Sequence, residues 1–215
     1  MPAIPISLDP AAPFGPAEFQ ALLDVSRETL AAFETYAELL RRWQKAINLV
    51  GPKTLDQLWR RHFYDSAQLL PLAPPGAKVW IDLGSGAGFP GLVLALLGAA
   101  EVHLVESDGR KTVFLEETAR ILKLPVTVHR GRIESLIGLP APDVITARAL
   151  APLSKLLDYG ARLAGRETVG LFLKGQDFEK ELTEAGKSRT LALDRLASQS
   201  DPAGVILRIK RFGHA

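Results

Sequence analysis

Cysteine is absent from the 215 residues, which excludes disulfides, thiolate metal sites and a cysteine nucleophile. No stretch reaches the ~18 consecutive apolar residues of a membrane span. The start, Met1-Pro2-Ala3-Ile4-Pro5, has neither the basic lead nor the apolar centre of an export signal. These absences predict a cytoplasmic protein with no membrane partner. No repeat period is visible, and no constellation of histidines and acids has metal-ligand spacing, so no metal is expected. Hydrophobic residues make up 47% of the chain, enough for a core in one domain or in one domain with an appendage.

Net charge is also small, +2, but it is unevenly placed. Residues 1–40 hold six acids and one base, Arg27, whereas residues 41–62 hold Arg41, Arg42, Lys45, Lys53, Arg60 and Arg61 against Asp56 alone. A nucleic-acid patch and an ordinary solvated helix face both produce this distribution.

The most informative stretch is Val79-Trp80-Ile81-Asp82-Leu83-Gly84-Ser85-Gly86-Ala87-Gly88-Phe89-Pro90-Gly91. An apolar run of strand length breaks into glycines, and apolar residues resume at Leu92, so the segment reads as strand, tight loop and helix. Glycines let a ligand approach main chain closely, and the helix start points free N–H groups into the same space. A dinucleotide fingerprint requires G-x-G-x-x-G, but Phe89 occupies its third glycine position, and the glycines fall at 84, 86 and 88 behind Asp82. An acid at that place suits a cationic ligand better than a pyrophosphate. S-adenosylmethionine, with an ammonium and a sulfonium and no phosphate, is the predicted cofactor.

Before this loop the chain reads as helical. Four prolines in the first fifteen residues predict an irregular lead-in. Ser26 is a candidate N-cap for a long amphipathic helix whose stripe is Leu30, Phe33, Ala37, Leu40, Trp43 and Ile47. Gly51 and Pro52 stop it. Thr54 and Gln57 form a capping box for a next helix, with Leu55, Leu58, Trp59, His62, Phe63, Ser66 and Leu70 on one face. His62 lies three residues before Asp65, and a half-buried histidine satisfied by that carboxylate is favoured over a catalytic one. The Pro-rich stretch 71–76 divides residues 1–75, a helical segment packed on the main domain, from residues 76–215.

Strands and helices then alternate. Val102–Glu106 ends in an acid 22 residues after Gly84, the spacing at which such folds place a carboxylate on ribose, so Glu106 is the ribose candidate. Further strands at 126–128, 143–147 and 171–174 deliver Glu134, Arg148 and Lys174 to the edge that carries Gly84 and Glu106. Ligands of open α/β sheets bind at that edge. The tail, 190–195 and 205–211, reads as a terminal antiparallel pair.

Together with the glycine loop, Trp43, Asn48-Leu49, Arg61-His62-Phe63-Tyr64-Asp65-Ser66, Arg132-Ile133-Glu134, Arg148-Ala149 and Leu173-Lys174-Gly175 make the chain resemble the ribosomal RNA small subunit methyltransferase G family, also called glucose-inhibited division protein B. The resemblance runs from about Glu38 to the end. It implies a Rossmann-like, seven-stranded α/β methyltransferase fold with an N-terminal helical segment. It also implies transfer of a methyl group from S-adenosylmethionine to ring nitrogen seven of a guanine in 16S ribosomal RNA, within an assembling small subunit or outside one. Gly84 and Phe89 then line the methionine side and Ile133 and Glu134 the adenosine side, with Gly86, Glu106 and Ser107 completing the cofactor set. Arg148 takes the transfer point as both cofactor contact and catalytic residue. Arg41, Arg42, Lys45, Asn48, Arg60, Arg61 and Lys174 are the candidate RNA contacts. Phe89 departs from the leucine common in relatives and keeps the apolar contact. Two alternatives stay open: a methyltransferase for a small molecule or a protein, and a ribosome-assembly module that retains the cofactor pocket.

The atom methylated can be argued from absences. Pyrimidine carbon-five chemistry ordinarily uses a cysteine nucleophile, and there is none. Amino-group methylation commonly uses Asn or Asp followed by Pro-Pro and an aromatic after the fourth strand, where this chain has Thr146-Ala147-Arg148-Ala149-Leu150. Guanine N7 carries an in-plane lone pair that attacks without first losing a proton.

Overall fold

The computed structural model describes residue 9, residues 12–187 and residues 190–212; of the irregular lead-in expected over the first fifteen residues, the described part, residues 9 and 12–15, is in no helix or strand, and the rest lies outside the described residues. Seven strands form one sheet in the order β3-β2-β1-β4-β5-β7-β6. They are β1 (Val79–Leu83), β2 (Glu101–Glu106), β3 (Val126–Arg130), β4 (Val144–Arg148), β5 (Val169–Lys174), β6 (Leu193–Ala197) and β7 (Val205–Ile209). The first five are parallel. β7 enters antiparallel between β5 and β6, as the alternating tail predicts, although β6 starts at Leu193 and not at residue 190. Strand order reverses between β1 and β4, which opens the crevice where α/β sheets take ligands.

Eight α-helices flank the sheet among the described residues: α1 (Pro16–Leu23), α2 (Arg27–Gln44), α3 (Pro52–Leu55), α4 (Asp65–Ala67), α5 (Gly91–Leu96), α6 (Gly109–Leu122), α7 (Leu153–Leu163) and α8 (Phe178–Gly186). Ser26 caps α2 by accepting from Thr29 N at 3.1 Å. The helix stops at Gln44, short of Ile47, because the Gln44 side chain bonds Leu49 N, Val50 N and Val50 O and turns the chain back. Asp108 caps α6 by accepting from Arg110 N at 2.8 Å and Lys111 N at 3.3 Å.

The expected second long helix is broken. α3 is followed by a π-helical turn, Trp59–Tyr64, and then by the short α4. Thr54 closes no capping box; its hydroxyl donates to Gly51 O at 2.8 Å. Bonding from i to i+5 widens the turn, so side chains three apart no longer share a face. His62 and Asp65 accordingly point to different partners.

One hydrophobic cluster joins the N-terminal helices to the α5–α6 side of the sheet, with Phe19, Phe33, Tyr36 and Phe63 buried beside Trp80, Leu92, Leu104 and Phe114. The other lies under α7 and α8. Tyr36 stacks on Phe89 at 5.5 Å and donates its hydroxyl to Ala87 O, so α2 holds the glycine loop directly.

Candidate functional site

The loop from Gly84 to Pro90 turns the chain out of β1 and into α5. Gly84 and Gly86 take φ of +66° and +57°, the left-handed region that favours glycine. A Cβ on Gly84 would lie 2.4 Å from Leu150 Cδ1, so this glycine permits close packing on the chain after β4. A Cβ on Gly86 would meet only Gly84 O, at 3.8 Å, and would otherwise project into an adjoining cavity of about 510 Å³.

Gly84, Gly86 and Phe89 line one side of that cavity, and Glu106 and Ser107 line it at the end of β2. Ile133 and Glu134 reach it from the turn after β3, and Arg148 from the end of β4. All eight residues read from the sequence as cofactor contacts thus surround one space. Glu106 Oε2 accepts from Gly86 N at 2.8 Å, and Oε1 accepts from Ser107 N at 2.7 Å and Asp108 N at 2.8 Å. A carboxylate offers about four acceptor positions, so one remains on Oε2 for a hydroxyl in the cavity. Glu134 accepts from Tyr159 Oη at 2.7 Å, a bond that lowers its pKa.

Asp82 does not line this cavity, contrary to the expectation that its charge faces a cation. It is 1% exposed and points toward α5, where Oδ1 accepts from Thr146 Oγ1 at 2.8 Å and Oδ2 from Gly91 N at 3.2 Å. Burial pushes its carboxyl up to about 6, against hydrogen bonds that favour the charged form. Its place is structural, tying β1 to β4 and to the start of α5.

The N-terminal segment supplies a wall that sequence reasoning misses: Leu49, Val50, Thr54 and His62. In sequence Thr54 reads only as a cap. His62 Nε2 bonds Thr54 Oγ1 at 2.9 Å, and the ring stacks on Phe89 at 4.8 Å. The expected His62–Asp65 bond is replaced, because the π-turn aims the two side chains apart. Burial, then the charges of Arg148 and Arg61, lower the His62 pKa to about 3, so the ring is neutral at physiological pH.

Asp65 instead faces Arg148, with Oδ2 3.6 Å from Nε. Ser198 and Ser200, on the loop between β6 and β7, donate to its Oδ1. No sequence signal marks those serines, which lie more than 130 residues away. Arg148 sits over the Phe89 ring at 5.9 Å, and burial lowers its pKa while the Asp65 charge opposes the shift. It also lines a second cavity, about 300 Å³, bordered by Arg61, Asp65, Lys174, Ser200 and Asp201. Arg148 and Ala149 belong to both cavities and form the wall between them.

The basic stretch separates in space. Arg41, Arg42, Lys45 and Asn48 are exposed at and after the end of α2. Arg61 lines the second cavity and pairs with Asp201 at 2.7 Å. Arg60 leaves the RNA set: it is 7% exposed, donates to Ala12 O at 2.8 Å and lies over Phe14 at 5.1 Å, since the π-turn directs it inward. Lys174, also read as an RNA contact, is engaged by Glu181 at 2.6 Å and Ala151 O at 2.9 Å. The Lys53 side chain lies outside the described ones. Among the described residues no helix is long and apolar enough to cross a membrane, and no group of His, Asp and Glu could hold a metal ion.

The seven-stranded arrangement recurs in solved structures of low sequence identity. The mitomycin 7-O-methyltransferase MmcR superposes with a TM-score of 0.56 at 15% identity, over 95% of this chain and 73% of that one. A variant of MtNAS in complex with S-adenosylmethionine gives 0.56 at 18% identity, over 92% and 84%. Sequence relatives are much nearer. Proteins named ribosomal RNA small subunit methyltransferase G are 55% identical in Rhodospirillum rubrum, over 93% of this chain and 99% of theirs, and 48% identical in Caulobacter vibrioides, over 96% of each. The family model for rRNA small subunit methyltransferase G matches residues 29–200. With its cavity at the carboxyl edge of the sheet and its sequence matched over that span, the chain belongs to the rRNA small subunit methyltransferase G family.

Proposed function

We propose that this chain transfers a methyl group from S-adenosylmethionine to N7 of a guanine in 16S ribosomal RNA, in the cytoplasm, on free RNA or on an assembling small subunit. The observation that carries the reading is Arg148, the common wall of two cavities, one with the makings of a cofactor site and the other polar.

The first cavity suits S-adenosylmethionine. Gly86 leaves open the space that a side chain would fill, the free acceptor position of Glu106 matches a ribose hydroxyl, and Val105 and Ile133 offer apolar surface to an adenine. Gly84 and Phe89, which line the same cavity, would take the methionine end. When bound, S-adenosylmethionine supplies a methyl group on a sulfonium leaving group, so that transfer leaves the positive charge on the purine.

The chain's own task is alignment and exclusion of water. Phe89 and His62, stacked on each other, form a dry face beside Arg148. His62 is a weak base there, being buried and close to the charges of Arg148 and Arg61. Attack by N7 removes no proton, so a site without a strong base is sufficient for it. Arg148 fixes the base by its planar guanidinium rather than by neutralising charge. Arg41, Arg42 and Lys45 supply exposed charge for phosphates.

The test is transfer of radiolabelled methyl to deproteinised small-subunit RNA and to partly assembled particles. Label in RNA is expected. Label in protein or a small molecule, or S-adenosylhomocysteine binding with no transfer to any RNA, would contradict the proposal.

A further inference from the structure

The second cavity contains two ion pairs that are closed and one that is not. Arg61 meets Asp201 at 2.7 Å and Lys174 meets Glu181 at 2.6 Å, each at hydrogen-bond distance. Arg148 and Asp65 approach only to 3.6 Å, beyond a hydrogen bond. Arg148 Nη1 is buried with no hydrogen-bond partner. Asp65 spends Oδ1 on Ser198 and Ser200, while Oδ2 has only the loose contact with Arg148. Arg148 and Asp65, with side chains 19% and 14% exposed, therefore stand side by side at the cavity wall without closing on each other, which leaves guanidinium donor and Oδ2 acceptor capacity at that wall.

We infer that this cavity receives the target guanine, with O6 accepting from Arg148 and the N1–H and N2–H groups donating to Asp65 Oδ2. This deepens the RNA-methylation reading and rests on it. The order of groups along the base supports the assignment. From the five-membered ring outward guanine presents N7, then O6, then N1–H and the N2 amino group. From the cofactor cavity outward the protein presents Arg148 on the common wall and then Asp65, which lines the second cavity and not the first. Acceptor meets donor and donor meets acceptor in register, with N7 left facing the cofactor side. Adenine reverses the pattern: its N6 amino group would face the guanidinium and its N1 lone pair the carboxylate, two like-with-like contacts. Enzymes that modify a base commonly extrude it and read this edge. Positive charge on the methylated ring also makes N1–H a stronger donor, so the bond to Asp65 tightens as methyl transfer proceeds, which is where binding energy raises rate.

The experiment uses the full-length protein, S-adenosylmethionine and an RNA fragment spanning the guanine that the wild type methylates, made with guanine or with inosine at that position. Inosine keeps N7, O6 and N1–H and lacks only the N2 amino group. Wild type should methylate inosine with kcat/KM lower by about tenfold or more, the cost of removing a bond to a charged acceptor. In Asp65→Asn the two serine hydroxyls hold the amide oxygen at the Oδ1 place and turn the NH2 toward the base. Activity on guanine should then fall by about a hundredfold, and the inosine penalty should shrink to less than about twofold because its partner is gone. S-adenosylhomocysteine affinity should be unchanged. If Asp65 merely props Arg148, Asp65→Asn slows guanine and inosine alike and the penalty stays as in wild type; that result overturns the assignment. Equal rates on guanine and inosine with wild type overturn it too, and that comparison stands even if the variant does not fold. Failure of the RNA-methylation reading looks different, since wild type then labels no guanine at all.

Discussion

The two cavities that meet at Arg148 are assembled in different ways. Most of the cofactor side is built from strand ends and the loops directly after them, where Glu106 holds Gly86, 20 residues away, and Asp82 holds Gly91, 9 away; Leu49, Val50, Thr54 and His62 of the N-terminal segment complete it. The polar side is built from segments remote in sequence: Asp65 is held by Ser200, 135 residues on, and Arg61 by Asp201, 140 on. The contacts between Gly86 and Glu106 lie within one βαβ unit, whereas those that hold Asp65 and Arg61 exist only once the π-turn segment and the β6–β7 loop have docked. The glycine-loop contacts are thus local in sequence, and those of Asp65 and Arg61 long-range.

The largest effect should come from the residue common to both. Arg148→Ala should reduce single-turnover methyl transfer by about 10²–10³-fold, the cost of losing one preorganised donor. Arg148→Lys should not restore it, since an ammonium cannot reproduce a planar grip. Full activity in the lysine variant would reduce Arg148 to a point charge and dissolve the distinction between the two sides.

Next in size is the anchor of the cofactor side. The Asp82 carboxyl is raised by burial to about 6, so the folded chain still holds a proton where the unfolded chain has released it. Stability contributed through Asp82 therefore falls as pH rises from about 4 to 6 and is level above, by about 3 kcal/mol in all. Urea unfolding of wild type and Asp82→Asn across that range should show their difference in stability changing with this sign. A difference independent of pH would mean that the carboxyl is not desolvated.

Glu106→Gln puts an NH2 group against backbone N–H donors of Gly86 or of Ser107 and Asp108. The cofactor hydroxyl also loses its charged acceptor, a bond worth about 1.5–3 kcal/mol, so S-adenosylhomocysteine affinity by calorimetry should drop about 10–100-fold. Undiminished affinity would separate the loop from the cofactor.

Smallest is the surface. Replacing Arg41 and Arg42 should flatten the salt dependence of RNA binding by roughly 0.7 for each phosphate that is no longer neutralised on single strands. Arg60→Ala should leave that slope alone and lower stability instead, because Arg60 is buried on Ala12 and Phe14. An altered slope in Arg60→Ala with unchanged stability would put that residue back on the RNA face.

This contrast also explains what can be read from the sequence. The alternation of strands and helices, the glycine loop and the acid at the end of β2 are local patterns, and they locate Gly84, Gly86, Glu106 and Arg148 around one cavity. Asp82 escapes such reading because strand alternation does not say which face of β1 meets the ligand; the neighbours Thr146 and Gly91 decide that. Arg60, His62 and Asp65 escape it for one reason: helical spacing assumes 3.6 residues per turn, and the π-turn Trp59–Tyr64 alters which side chains share a face. Ser198 and Ser200 carry no motif and acquire meaning only through their contact with Asp65.

Mass spectrometry of nuclease-digested small-subunit RNA, treated with the enzyme and S-adenosylmethionine bearing an isotopically labelled methyl group, most directly tests the chemistry assigned to the Arg148 wall. The label should appear in 7-methylguanosine and nowhere else. Label on an exocyclic amino group, a ribose hydroxyl or a pyrimidine carbon would show that the base does not enter with N7 toward the cofactor cavity.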